Sequence, residues 1–135
     1  MENCDLNQND TYTVLIAEDD PVTRKLLKSV IEKSCQYKVI TANDGLEALQ
    51  LIRNITPDVF IIDIMMPRLN GIETIKNIKL ADRYFYVSDK YIIAMSAYMS
   101  DDIINQLSTL GVDIYLHKPV DTKEVINILQ NQQKV

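Results

Sequence analysis

Short, unbroken apolar runs separated by helix-spaced stripes constrain this chain more than any other feature. Val14-Leu15-Ile16-Ala17, Val59-Phe60-Ile61-Ile62 and Tyr91-Ile92-Ile93-Ala94-Met95 are apolar throughout and of strand length. Runs without polar alternation belong to strands covered on both faces, as in a parallel sheet with helices on either side. A β-branched stretch at 37–41 and a largely apolar one at 112–116, interrupted by Asp113, supply two more strands. Between them, apolar residues recur at helical spacing: Leu26, Leu27, Val30 and Ile31; Leu46, Leu49 and Ile52; Ile72, Ile75 and Ile78; Ile103, Ile104 and Leu107; Val125, Ile128 and Leu129. Five strands alternating with five helices predict a doubly wound α/β fold on a parallel sheet.

The punctuation fits. Asp20-Pro21 reads as a helix cap followed by a first-turn proline. Asn43-Asp44-Gly45 is a turn and helix start, and Thr56-Pro57-Asp58 ends that helix. Gly111 is placed as a C-cap glycine. Residues 80–90 are expected to be a long connection, with Tyr84, Phe85 and Tyr86 packing down on the surface. Residues 1–11 are polar and aperiodic, so a flexible tail is expected ahead of one domain over 12–135.

Composition excludes several classes. A net charge of −5 does not suit the phosphate backbone of nucleic acid. No apolar run approaches the roughly 20 residues of a membrane span, and no basic segment followed by an apolar core marks a signal peptide. Cys4 and Cys35 form no CxxC pair and read as two reduced thiols, so a cytoplasmic setting is expected. His117 is the only histidine, which rules out a histidine-rich metal site; it reads as a solvent-facing neighbour of Lys118.

The chemistry gathers at strand ends. In doubly wound sheets ligands bind at the carboxyl ends of the strands, near the topological switch point. That edge would collect Glu18, Asp19, Asp63, Ser96 and Lys118 from four separate strands. Crowded carboxylates are costly unless a cation neutralises them or they share protons. Asp63 is the candidate nucleophile toward phosphorus, giving an acyl phosphate. Asp19 and Asp63 suit direct ligation of Mg²⁺, with Glu18 acting through a metal-bound water. Asp20 is better explained as a helix cap. Lys118 would balance charge and later pair with a phosphoryl oxygen. The Ser96 hydroxyl can donate to that oxygen, and Tyr115, facing away from Leu116, is either a packing ring or a group that turns inward when Ser96 moves.

At these residues the chain resembles a response regulator receiver domain of two-component and phosphorelay signalling. VLIAEDDPVTRKLL, DVFIIDIMMPRLNGIE, YIIAMSA and DIYLHKP carry the resemblance, which spans about 12 to 130. It implies a flavodoxin-like (βα)5 sandwich with a five-stranded sheet in the order 2-1-3-4-5. Glu18 and Asp19 would be the acidic metal pair for Mg²⁺ or Mn²⁺, Asp63 the phosphoryl acceptor, and the Met65 backbone carbonyl a further ligand. Lys118 would be the conserved-type lysine, Ser96 the hydroxyl switch and Tyr115 the aromatic switch. Met65 and Tyr98, two residues beyond Asp63 and Ser96, would border the phosphoryl group and set its lifetime. The implied partner is a histidine kinase or a histidine phosphotransfer protein. A downstream protein would be met by the surface around 99–110, 112–116 and the last helix. The implied protein is a monomer or weak dimer, a stand-alone regulator or the receiver part of a hybrid histidine kinase. It would lose its phosphoryl group slowly rather than turn over as a conventional enzyme. Glu18, Asn70 and Ser96 stand where the family more often has Asp, Asp and Thr.

Three rival readings make different demands. A haloacid-dehalogenase-like phosphatase would carry an acid two residues after its aspartate, where this chain has Met65. A flavodoxin-like binding module would place a Ser/Thr/Gly-rich phosphate loop after the first strand, where Glu18-Asp19-Asp20 would repel a phosphate. A non-phosphorylated receiver-like interaction module would not need the full polar set.

Overall fold

A computed structural model describes residues 12–85 and 90–132, with residues 81–85 described by their backbone alone. Five strands alternate with five helices: β1 Tyr12–Ala17, α1 Pro21–Ser34, β2 Tyr37–Ala42, α2 Gly45–Leu51, β3 Val59–Asp63, α3 Gly71–Phe85, β4 Tyr91–Ser96, α4 Asp101–Thr109, β5 Ile114–His117 and α5 Thr122–Gln132. The sheet is parallel in the order β2-β1-β3-β4-β5. Strand order reverses between β1 and β3, so the switch point lies where those two strands end.

The period-2 alternation of each strand divides the core. Leu15, Ala17, Phe60, Ile62, Ile92 and Ala94 face one side, with Ile75, Ile78 and Leu107 from α3 and α4. Val14, Ile16, Ile61, Ile93 and Met95 face the other, with Leu27 and Ile31 of α1 and Val125 and Leu129 of α5. Both faces of β1, β3 and β4 are therefore sealed, which explains why these runs carry no polar alternation. Tyr115 packs on the α3/α4 side and Leu116 on the α1/α5 side, as alternation predicts.

The helix signals work as local chemistry requires. Asp20 caps α1, accepting from the Thr23 amide at 3.2 Å and the Thr23 hydroxyl at 2.6 Å, and Pro21 occupies the first turn. Asn70 Oδ1 accepts from the Glu73 amide at 2.9 Å and starts α3. A β-carbon at Gly71 would sit 2.4 Å from the Asp63 carbonyl oxygen, so only glycine lets α3 begin this close to the end of β3. Past α4, Gly111 at φ +81° lets the Val112 amide reach the Leu107 carbonyl at 3.1 Å.

Several boundaries differ from the sequence reading, most strand ends by one or two residues. Residues 80–85 of the expected connection are helix, because α3 runs on to Phe85 with no glycine or proline to interrupt it after Gly71. Ser96 is the last residue of β4 rather than the first beyond it, since its carbonyl accepts the Lys118 amide at 2.9 Å. Val112 falls outside β5 because its amide is spent on closing α4. The packing expected of Tyr84, Phe85 and Tyr86, the tail at 1–11 and Cys4 lie outside what is described; Cys35 is buried. Among the described residues no helix is long and apolar enough to cross a membrane.

Candidate phosphoacceptor and metal site

Four strand ends converge. β1 delivers Glu18 and Asp19, β3 ends on Asp63, β4 ends on Ser96, and Lys118 follows β5. Glu18 and Asp63 are buried, while Asp19 is exposed at the rim. One carboxylate oxygen from each of the three lies within 4.8 Å of the others. Lys118 Nζ bridges the two buried members, 2.7 Å from Glu18 Oε1 and 3.1 Å from Asp63 Oδ2. The Lys118–Pro119 peptide bond is cis.

Backbone and side-chain bonds hold each group. The Glu18 amide donates to the Ala42 carbonyl at 3.1 Å, and Glu18 Oε2 accepts from the Asp20 amide at 3.0 Å. Arg24, one turn into α1, donates to the Glu18 carbonyl at 2.8 Å. Asp63 Oδ1 accepts from the Met65 amide at 3.1 Å. These bonds fix the acidic loop from three directions before any cation is considered.

The electrostatics follow from burial. Loss of water, then the Glu18 charge, push the Asp63 carboxyl up to about 7, against the pull of Lys118 and the Met65 amide. Burial also works against the Lys118 ammonium, yet Glu18 and Asp63 together hold it above its ordinary range. Asp20, at the surface, is held below the usual carboxylate range by the Thr23 hydroxyl and amide, as a cap should be.

The donor set fits a hard divalent cation. Each of the three clustered side chains offers a carboxylate oxygen, and the one ammonium in contact with them touches only Glu18 and Asp63. Glu18 Oε1 is fully buried and has charge contact with Lys118 but no aligned hydrogen bond. An oxygen in that condition leaves coordination capacity for a cation or a water bound to one.

Ser96 and Tyr98 are tied to each other at the end of β4. The buried Ser96 hydroxyl donates to the Tyr98 carbonyl at 2.8 Å and accepts from the Tyr98 amide at 3.1 Å. Tyr98 is 65% exposed and Met65 62% exposed. A groove of about 520 Å³ runs from Asp19 past Met65, Pro67 and Asn70 to Ile103. His117 is exposed, its Nδ1 2.9 Å from the Lys118 carbonyl, as its placement as a solvent-facing neighbour requires. Sequence reasoning missed two contacts, Arg24 on the Glu18 carbonyl and an ion pair between Arg68 and Asp44. Only tertiary geometry reveals them, since lysines and arginines on helices and loops ordinarily point to water.

The comparisons with known proteins agree with this geometry. The family model described as response regulator receiver domain matches residues 14–130. This chain belongs to the response regulator receiver family. It is 30% identical over 119 residues to the polar-differentiation response regulator DivK of Brucella anthropi, covering 88% of this chain and 94% of that protein. It is also 30% identical over 113 residues to hybrid signal transduction histidine kinase D of Dictyostelium discoideum, covering 84% of this chain but only 7% of the kinase. Among solved structures, the receiver domain of Francisella response regulator 1452 superposes with a TM-score of 0.75 at 35% identity, over 91% of this chain and 99% of that one.

The raised Asp63 pKa predicts a pH effect. The folded protein keeps a proton on Asp63 that the unfolded chain releases near pH 4, so this group's stabilisation is greatest below that pH and is lost as pH rises toward 7. Asp63→Asn should therefore raise the melting temperature of metal-free protein by roughly 5 °C or more at pH 8, and little at pH 4. Calorimetry at the two pH values checks this. Equal shifts at both would contradict the assigned electrostatics.

Proposed function

We propose that this receiver domain, spanning 12–135, accepts a phosphoryl group on Asp63 from a phosphohistidine and passes the signal on as a change of surface. The observation that carries the reading is the Lys118 ammonium lying between Glu18 and Asp63 at 2.7 and 3.1 Å, at the switch point of the sheet. Asp63 is held buried and oriented beside that ammonium, and burial and the Glu18 charge keep it weakly acidic against the pull of Lys118.

Asp19, Asp63 and the Met65 backbone carbonyl would hold Mg²⁺ or Mn²⁺, with Glu18 ligating through water. Bound there, the ion supplies neutralisation of the charge that develops on the phosphoryl oxygens. Asp63 Oδ attacks phosphorus in line, the P–N bond to the donor imidazole breaks, and an acyl phosphate forms on Asp63. Lys118 moves its charge from the carboxylate to a phosphoryl oxygen. Ser96 contributes only after leaving Tyr98, because its single O–H is spent on that carbonyl. Its shift would free space for Tyr115 to turn inward and alter the α4-β5-α5 surface read by a downstream protein. Such a switch selects between two states that differ in affinity for the phosphoryl group.

A histidine kinase or histidine phosphotransfer protein is the proposed donor, in a cytoplasmic setting, and the domain acts as a monomer or weak dimer. It serves as a stand-alone regulator or as the receiver part of a hybrid histidine kinase, and loses the phosphoryl group slowly. The haloacid-dehalogenase reading gains no support, because Met65 offers no acid or base at the position that chemistry needs.

Incubation with a small phosphodonor and Mg²⁺, read by intact mass, should add one phosphoryl group to wild type and none to Asp63→Asn or to wild type in chelator. A mass gain that survives Asp63→Asn would overturn the assignment. Met65 and Tyr98 should shield the product from water. Met65→Asn and Tyr98→Glu are each expected to speed dephosphorylation several-fold, followed by mass over time; unchanged rates in both would remove the shielding role.

A further inference from the structure

The loop between β3 and α3, residues 64–70, carries Met65 and closes on itself through the Gly71 amide, which donates to the Ile64 carbonyl at 2.9 Å. Its tip is also held from outside. Arg68 stands at φ +65°, in the left-handed region that favours glycine, yet it carries the longest of cationic side chains. Its guanidinium pairs with Asp44, 24 residues earlier, at the start of α2. The Asp44 carboxylate is only 4% exposed and is itself anchored, with Oδ1 accepting from the Glu47 amide at 2.9 Å. That amide bond, with Arg68 assisting against burial, holds the Asp44 carboxyl below its usual range. The neighbouring Gly45 lies where a β-carbon would sit 2.7 Å from the Leu69 carbonyl, so the start of α2 and the loop tip are pressed together.

The geometry points to the Arg68–Asp44 pair as a positioning clasp that fixes the β3–α3 loop, and with it the Met65 carbonyl, for binding the cation. The inference rests on the Mg²⁺ reading proposed above. Arg68 touches no reacting atom. It acts through the loop, whose other end is tied to Asp63 by the Met65 amide at 3.1 Å. A left-handed arginine at an exposed tip brings no packing benefit there, since 62% of its side chain faces water. Its gain is the bond to a buried carboxylate that is already rigid. Loosening that bond lets the carbonyl wander, and a cation that demands near-octahedral oxygen geometry binds less well.

Two single variants and their combination separate this from a merely structural role. Arg68→Gln keeps the loop length and left-handed residue but loses the charge. Asp44→Ser keeps an N-cap acceptor but cannot span to Arg68. Titration calorimetry with Mg²⁺ alone should show each single variant binding roughly threefold to tenfold more weakly, below the 10–100-fold typical of groups that touch a metal ligand directly. The double variant should be no worse than the weaker single one, because both lose the same bond. Hydrogen exchange of the Met65 amide in metal-free protein should quicken in all three. If wild type takes up Mg²⁺ and Arg68→Gln binds it equally well, or if the two losses add in full, the clasp is wrong. If wild type takes up no Mg²⁺, the cation reading itself falls, and the clasp with it.

Discussion

The structure depends on keeping two carboxylates, Glu18 and Asp63, out of water at the point where β1 and β3 end. Neither would stay there unaided, because a buried charge is among the costliest things a fold can hold. Lys118 lies against both of them. The rest of the fold serves that contact. Apolar strands sealed on both faces set the depth of the strand ends, and the β2-β1-β3-β4-β5 order puts the acidic loop beside Asp63 and brings β5, with Lys118 after it, to the same edge.

Much of this was legible in the chain because the relevant signals are local. Val59-Phe60-Ile61-Ile62 is a strand by composition alone, and a polar residue that stops such a run must sit at the sheet edge. Asp20 and Pro21 announce a helix start through chemistry that operates within three residues. Boundaries were less legible, because they are decided by distant partners. Ser96 joins β4 through the Lys118 amide, and Val112 leaves β5 through the Leu107 carbonyl. The extension of α3 to Phe85 was hidden by Lys79, Asp82 and Arg83, charged residues that break the apolar stripe after Ile78 without breaking the helix.

Within the site, the residue types were readable and their engagement was not. Ser96 was identified for its hydroxyl, but its attachment to both the amide and carbonyl of Tyr98 depends on how the β4–α4 loop folds back. Arg24 and Arg68 carry no local mark separating them from solvent-facing cations, yet one holds the Glu18 carbonyl and the other reaches Asp44. A group that works by holding another is visible only when the two are brought together in space. Those supports matter because a loop that drifts by an ångström misplaces every oxygen it carries.

The central claim is that, of all the carboxylates at this edge, Asp63 alone is the reacting one. Borohydride reduction of the phosphorylated protein, followed by peptide mapping, tests it most directly, because an aspartyl phosphate is reduced to homoserine at the residue that carried it. The account predicts homoserine at position 63 and nowhere else. Homoserine at position 19 or 20, or a phosphoryl group that resists reduction and maps to His117 or Ser96, would contradict it.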